Sequence, residues 1–79
     1  MHRIFFDTNS GTPDNERYGL WFDLSRQDLA YIPGGPREGL CVVIYMPDEL
    51  EMEATLVFDS DWDSWTARPV PGTAKYVEK

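Results

Sequence analysis

Between Glu49 and Asp59 the chain alternates: Leu50, Met52, Ala54, Leu56 and Phe58 are separated by Glu51, Glu53, Thr55 and Val57. A period of two is that of a β-strand with one buried face, whereas a helix would scatter those five apolar residues around its circumference. The preceding stretch has Leu40, Val42, Ile44 and Met46 on one side and Cys41, Val43 and Tyr45 on the other. With Pro47-Asp48-Glu49 as the connection, Met46 faces Leu50, Ile44 faces Met52, Val42 faces Ala54 and Leu40 faces Leu56. Both apolar sets then share one side, and a shift of one residue would separate them. On the other face Tyr45 meets Glu51 and Val43 meets Glu53. Pairing Phe58 with Trp65 adds a third strand, bringing Ala67 against Leu56 and Arg68 against Thr55, diagonal to Glu53. Asp59 to Ser64 is left as the hairpin loop.

Elsewhere the pattern is shorter. Tyr18, Leu20, Phe22 and Leu24 alternate with Gly19, Trp21 and Asp23, which predicts another strand. Ser25-Arg26-Gln27-Asp28 resembles a capping box and predicts a helical turn through Tyr31, ended by Pro33-Gly34-Gly35-Pro36. Arg3 to Asp7 reads as a first strand, Asn9 to Asn15 as a flexible loop and Ala74 to Val77 as a short last strand. Pro69 and Pro71 mark an edge or a bend before it. The expected fold is all-β: one domain over residues 1–79, a small antiparallel barrel or strongly curved sheet of five to six strands with one short helical turn.

Charge narrows the partners. The net charge is −7, and no basic residue falls between Arg37 and Arg68, an interval that holds Asp48, Glu49, Glu51, Glu53, Asp59, Asp61 and Asp63. Direct nucleic-acid binding through this region is disfavoured, because phosphate recognition depends on lysine and arginine, so a basic protein partner is expected. No apolar run approaches the roughly 18 residues of a membrane span. The segment Met1-His2-Arg3-Ile4-Phe5-Phe6 reaches Asp7 before a signal-peptide core can form, and the expected compartment is the cytoplasm. Cys41 is the only cysteine, which excludes an intramolecular disulfide or a multi-cysteine metal site, and its apolar neighbours predict a packed side chain.

The C-terminal half resembles the SH3-like small barrels. Asp61-Trp62-Asp63-Ser64-Trp65-Thr66-Ala67-Arg68 is similar to their double-tryptophan segment followed by a core alanine, and Gly72-Thr73-Ala74-Lys75-Tyr76-Val77 to their closing stretch. Ser64 stands where peptide-binding members carry the ligand-contacting tryptophan, and the last stretch lacks their proline. The resemblance therefore implies the fold and not proline-peptide binding.

Three chemistries remain to be weighed. Asp59, Asp61 and Asp63 match the first liganding positions of an EF-hand loop. Ser64 then replaces its glycine and Val70 its bidentate glutamate, which excludes an EF-hand and leaves a solvated turn or a weak cation site. The only histidine, His2, adjoins a terminus, so no nucleophile-histidine pair is expected, and neither an enzyme nor a cofactor is predicted. The non-core faces offer Trp21, Tyr45, Trp62 and Arg68, residue types that concentrate binding energy at interfaces. The expected function is a non-enzymatic binding module with a site around Glu51, Glu53, Trp62 and Arg68, self-association included. The alternative is an acidic inhibitor of a nucleic-acid-binding enzyme, its outward carboxylates about 6.6–6.8 Å apart along a strand standing in for phosphates.

Overall fold

The computed structural model describes residues 1–77. Six strands, β1 (Arg3–Phe5), β2 (Tyr18–Gly19), β3 (Cys41–Met46), β4 (Leu50–Asp59), β5 (Ser64–Pro69) and β6 (Lys75–Tyr76), form one sheet with a helix, α1 (Asp23–Ala30), between β2 and β3. The order across the sheet is β1-β3-β4-β5-β2, with β6 pairing the start of β4. The sheet curls into a half-barrel. Four strand pairs are antiparallel, but β1 runs parallel to β3, so the sheet is mixed.

The two central hairpins take the register expected from alternation. Met46 pairs with Leu50, Ile44 with Met52 and Val42 with Ala54. Phe58 pairs with Trp65, Leu56 with Ala67 and Thr55 with Arg68. The first turn has Pro47 at its second position and Asp48 at φ 61°, with the Glu49 amide donating to the Met46 carbonyl at 3.1 Å. That is the pattern of a type II turn, in which proline presets the first angle and aspartate tolerates the positive one.

Two expectations fail, each for a local reason. The stretch Tyr18–Leu24 is strand only at Tyr18–Gly19, and the helix begins at Asp23, ahead of the supposed Ser25 cap. Ser25 is instead fully buried, donating from its hydroxyl to the Phe5 carbonyl at 2.6 Å. Asp28, one turn on, accepts the Phe5 amide at 2.9 Å and the Tyr45 hydroxyl at 3.1 Å through one oxygen. Together they satisfy the outward backbone groups of Phe5 on the edge of β1, and so keep that edge from pairing with another chain. Cys41 is exposed, because odd-numbered positions of β3 face outward and nothing packs over this one.

Ile4, Phe6, Leu20, Leu29, Ile32, Val42, Ile44, Leu50, Ala54, Leu56 and Ala67 make the core. Phe6, just beyond β1, meets Tyr18 of β2 at a ring separation of 5.0 Å, joining the two ends of the curled sheet. No helix among the described residues is long and apolar enough to cross a membrane.

Candidate functional site

The outer face of the sheet carries the four residues expected to bind a partner, but they fall into two groups. Glu51 and Glu53 lie near the start of β4, beside a cleft of about 210 Å³ also lined by Val43, Thr73 and Lys75. Glu51 is engaged by Arg3 at 2.6 Å, and Arg3 also lies 5.0 Å over the Tyr45 ring. Arg68, next to the last residue of β5, sits 3.5 Å from Glu16 with both side chains exposed. Trp62 lies beyond the other end of β4, roughly 20 Å from Glu53 by the rise of six strand residues.

Trp62 is 52% exposed, yet its ring is 5.3 Å from that of Trp21 at an interplanar angle of 34°. Trp21 in turn occupies the space above Gly19, where a Cβ would fall 1.9 Å from the indole. Gly19 pairs with Thr66 of β5, so the two stacked tryptophans continue the outer face beyond Thr66. An aromatic pair of this kind contributes about 0.5–1.5 kcal/mol beyond its buried area. The half-exposed Trp62 ring is thereby held against Trp21.

The loop under Trp62 is ordered by its own aspartates. Asp59 accepts the Asp61 amide through Oδ1 at 2.9 Å, and Asp63 takes φ 48° with its amide 3.4 Å from the Ser60 carbonyl. Asp59 Oδ2 receives Arg17 at 3.0 Å. Both oxygens of Asp59 are therefore occupied, and no group of three metal-ligating side chains gathers among the described residues.

Arg17, which the sequence did not single out, ties the Asp59 loop to β5 and to Asp14. It bonds Thr66 at 3.2 Å, Asp14 at 3.2 Å and Asp59 at 3.0 Å, with only 15% of its side chain exposed and 12% of that of Asp59. Burial alone would lower the Arg17 pKa, but the two carboxylates raise it overall. Thr12, then the Glu16 amide and Arg17, hold Asp14 down to about 2. Tyr45 is raised by burial and by its bond to Asp28. Only Asp14 among its partners is a neighbour in the chain; Asp59 and Thr66 lie 42 and 49 positions away, which no local pattern reveals.

No family model, no curated protein and no solved structure matches this chain. The site must be read from its own geometry. Arg3, Arg17 and Arg68 are each paired, which leaves Glu53, Asp61 and Asp63 without an ion pair among the described residues. His2 is exposed, with its carbonyl accepting the Val43 amide at 2.8 Å. Asp61 and Asp63, both exposed, flank the half-exposed Trp62 ring.

Proposed function

We propose that this protein is a non-enzymatic binding module on an SH3-like half-barrel, and that a basic protein docks on the outer face with Trp62 as its anchor. The observation that carries this reading is the seating of a half-exposed Trp62 on Trp21, between the unpaired carboxylates of Asp61 and Asp63. Tryptophan concentrates interface energy, and a held side chain loses little freedom on binding. A standard interface covers about 800 Å² of each partner, a patch roughly 30 Å across. Such a patch reaches from Trp62 past Arg68 to Glu53, with Glu51 at its rim. The same face serves self-association through the half-buried Val43, Tyr45 and Val57.

Nucleic-acid mimicry has less support, because Arg3 neutralises Glu51 and leaves Glu53 as the free outward carboxylate of the β4 row. The test is capture of partners on immobilised wild type and on Trp62→Ala, washed at low salt and then at about 0.5 M, where the Debye length is only about 4–5 Å. A discrete partner that survives the high-salt wash on wild type and is lost on Trp62→Ala supports the reading. Trp62→Ala itself should change stability by no more than about 1 kcal/mol. Nucleic-acid-binding proteins alone, all released by salt, would favour mimicry instead. Self-association shows as a dimer in light scattering of the pure protein.

A further inference from the structure

Phe58 stands on the inner face of β4, where alternation places core residues, yet it is 42% exposed. Between α1 and the β4–β5 hairpin the half-barrel stays open as a cleft of about 260 Å³, lined by Leu20, Leu29, Phe58, Trp65 and the buried Ser64, with Arg26 and Asp63 also lining it. Phe58 and Trp65 meet edge to face at 5.3 Å. Neither Arg26 nor Asp63 has an ion-pair partner among the described residues, and they do not pair with each other.

We infer that this cleft receives one apolar side chain of a partner peptide, with an acidic neighbour reaching Arg26 and a basic neighbour reaching Asp63. The volume argues for a side chain rather than a free metabolite, since small-molecule sites start at roughly 300 Å³. The floor argues for an apolar occupant, because an exposed aromatic on an otherwise core-facing row gains by being covered. The two unpaired charges of opposite sign set the flanking chemistry. This rests on the binding-module reading for the nature of its partner, and it places a second contact next to Trp62 through their shared hairpin loop.

The probe is a blocked tripeptide with phenylalanine at its centre and glutamate and lysine on either side, in both orders, titrated to millimolar concentration into 15N-labelled protein. One order should give saturating amide shifts at Leu20, Leu29, Phe58, Ser64 and Trp65. Replacing the central phenylalanine by alanine should weaken binding at least about tenfold. Arg26→Gln should weaken it about two- to fivefold, with no effect on a peptide lacking glutamate, and Asp63→Asn should do the same for lysine. Both variants are expected to fold: Arg26 is exposed on α1, and asparagine accepts the left-handed backbone at position 63. Cleft resonances that stay unmoved, or that move equally with a charge-free peptide, overturn the inference. Trp62→Ala should leave these shifts in place. Loss of the captured partner therefore reports on the anchor, and loss of the peptide shifts reports on the cleft.

Discussion

Replacing Gly19 by alanine asks how the Trp21–Trp62 pair is held. Gly19 is not among the glycines with positive φ, so space rather than backbone conformation requires it. An alanine Cβ would lie 1.9, 2.1 and 2.2 Å from three carbons of the Trp21 ring, little more than half of an ordinary carbon contact at about 3.5–4.0 Å. Because the three nearest atoms all belong to that ring, the ring has to leave. Overpacking of this kind costs about 1–3 kcal/mol. In a Trp21→Ala background the obstruction is gone and the sign should reverse, since alanine is better than glycine within a strand by about 0.5–1 kcal/mol. Urea denaturation of the four proteins of the cycle, followed by circular dichroism, should give a coupling of about 1.5–4 kcal/mol. Thermal melts should agree, at about 4–8 °C per kcal/mol for a chain of this size. An equal cost with and without Trp21 would refute the idea that the indole fills the space above Gly19.

Three further outcomes are expected. Asp28→Ala removes the acceptor of both the Phe5 amide and the Tyr45 hydroxyl, and should cost about 1–3 kcal/mol. Hydrogen exchange should then accelerate at the Phe5 amide more than at Leu56, and unchanged protection at Phe5 would contradict the edge contact. The Cys41 thiol should react with a disulfide reagent in the native protein, whereas reaction only after denaturation would show it packed. Asp14 falls from an ordinary 3.8 to about 2 on folding, chiefly through the Thr12 hydroxyl. A depressed carboxylate stabilises above its unfolded value and loses that contribution as pH drops from 3.8 toward 2. Urea midpoints should fall over that interval, and more steeply than in Asp14→Asn; identical slopes would discount the contact.

Legibility followed sequence separation. The β3–β4 and β4–β5 registers could be read from the chain because each hairpin closes over a short loop and a slip of one residue would expose Leu56 and Ile44 together. Tyr18 to Leu24 departs from its alternation because seven residues fit period two while their continuation fits a helix, within which Ser25 is bonded to the Phe5 carbonyl. The parallel partner of β1 left no local mark, since Ile4 and Phe6 alternate alike in either direction. In the candidate site, Trp62 was visible as a tryptophan between two aspartates. Its support by Trp21 and Gly19 was not, because a glycine chosen for space looks the same in sequence as one chosen for a turn. Phe58 obeyed its alternation and still came out half exposed, since the pattern names the face and not what covers it.

The parallel pairing of β1 with β3 also orders events during folding. The β3–β4 and β4–β5 contacts join neighbours in the chain, whereas Arg3 must find Val43. Closing a loop about ten times longer costs about 2 kcal/mol more in chain entropy, to be met before any contact compensates it. The three-strand meander should therefore assemble first and offer β3 as a bare template. The N-terminal strand arrives after it and is fastened by Ser25 and Asp28. Until then the edge of β3 stands open to pairing with another chain, so the speed with which α1 delivers β1 bears on how cleanly the protein folds.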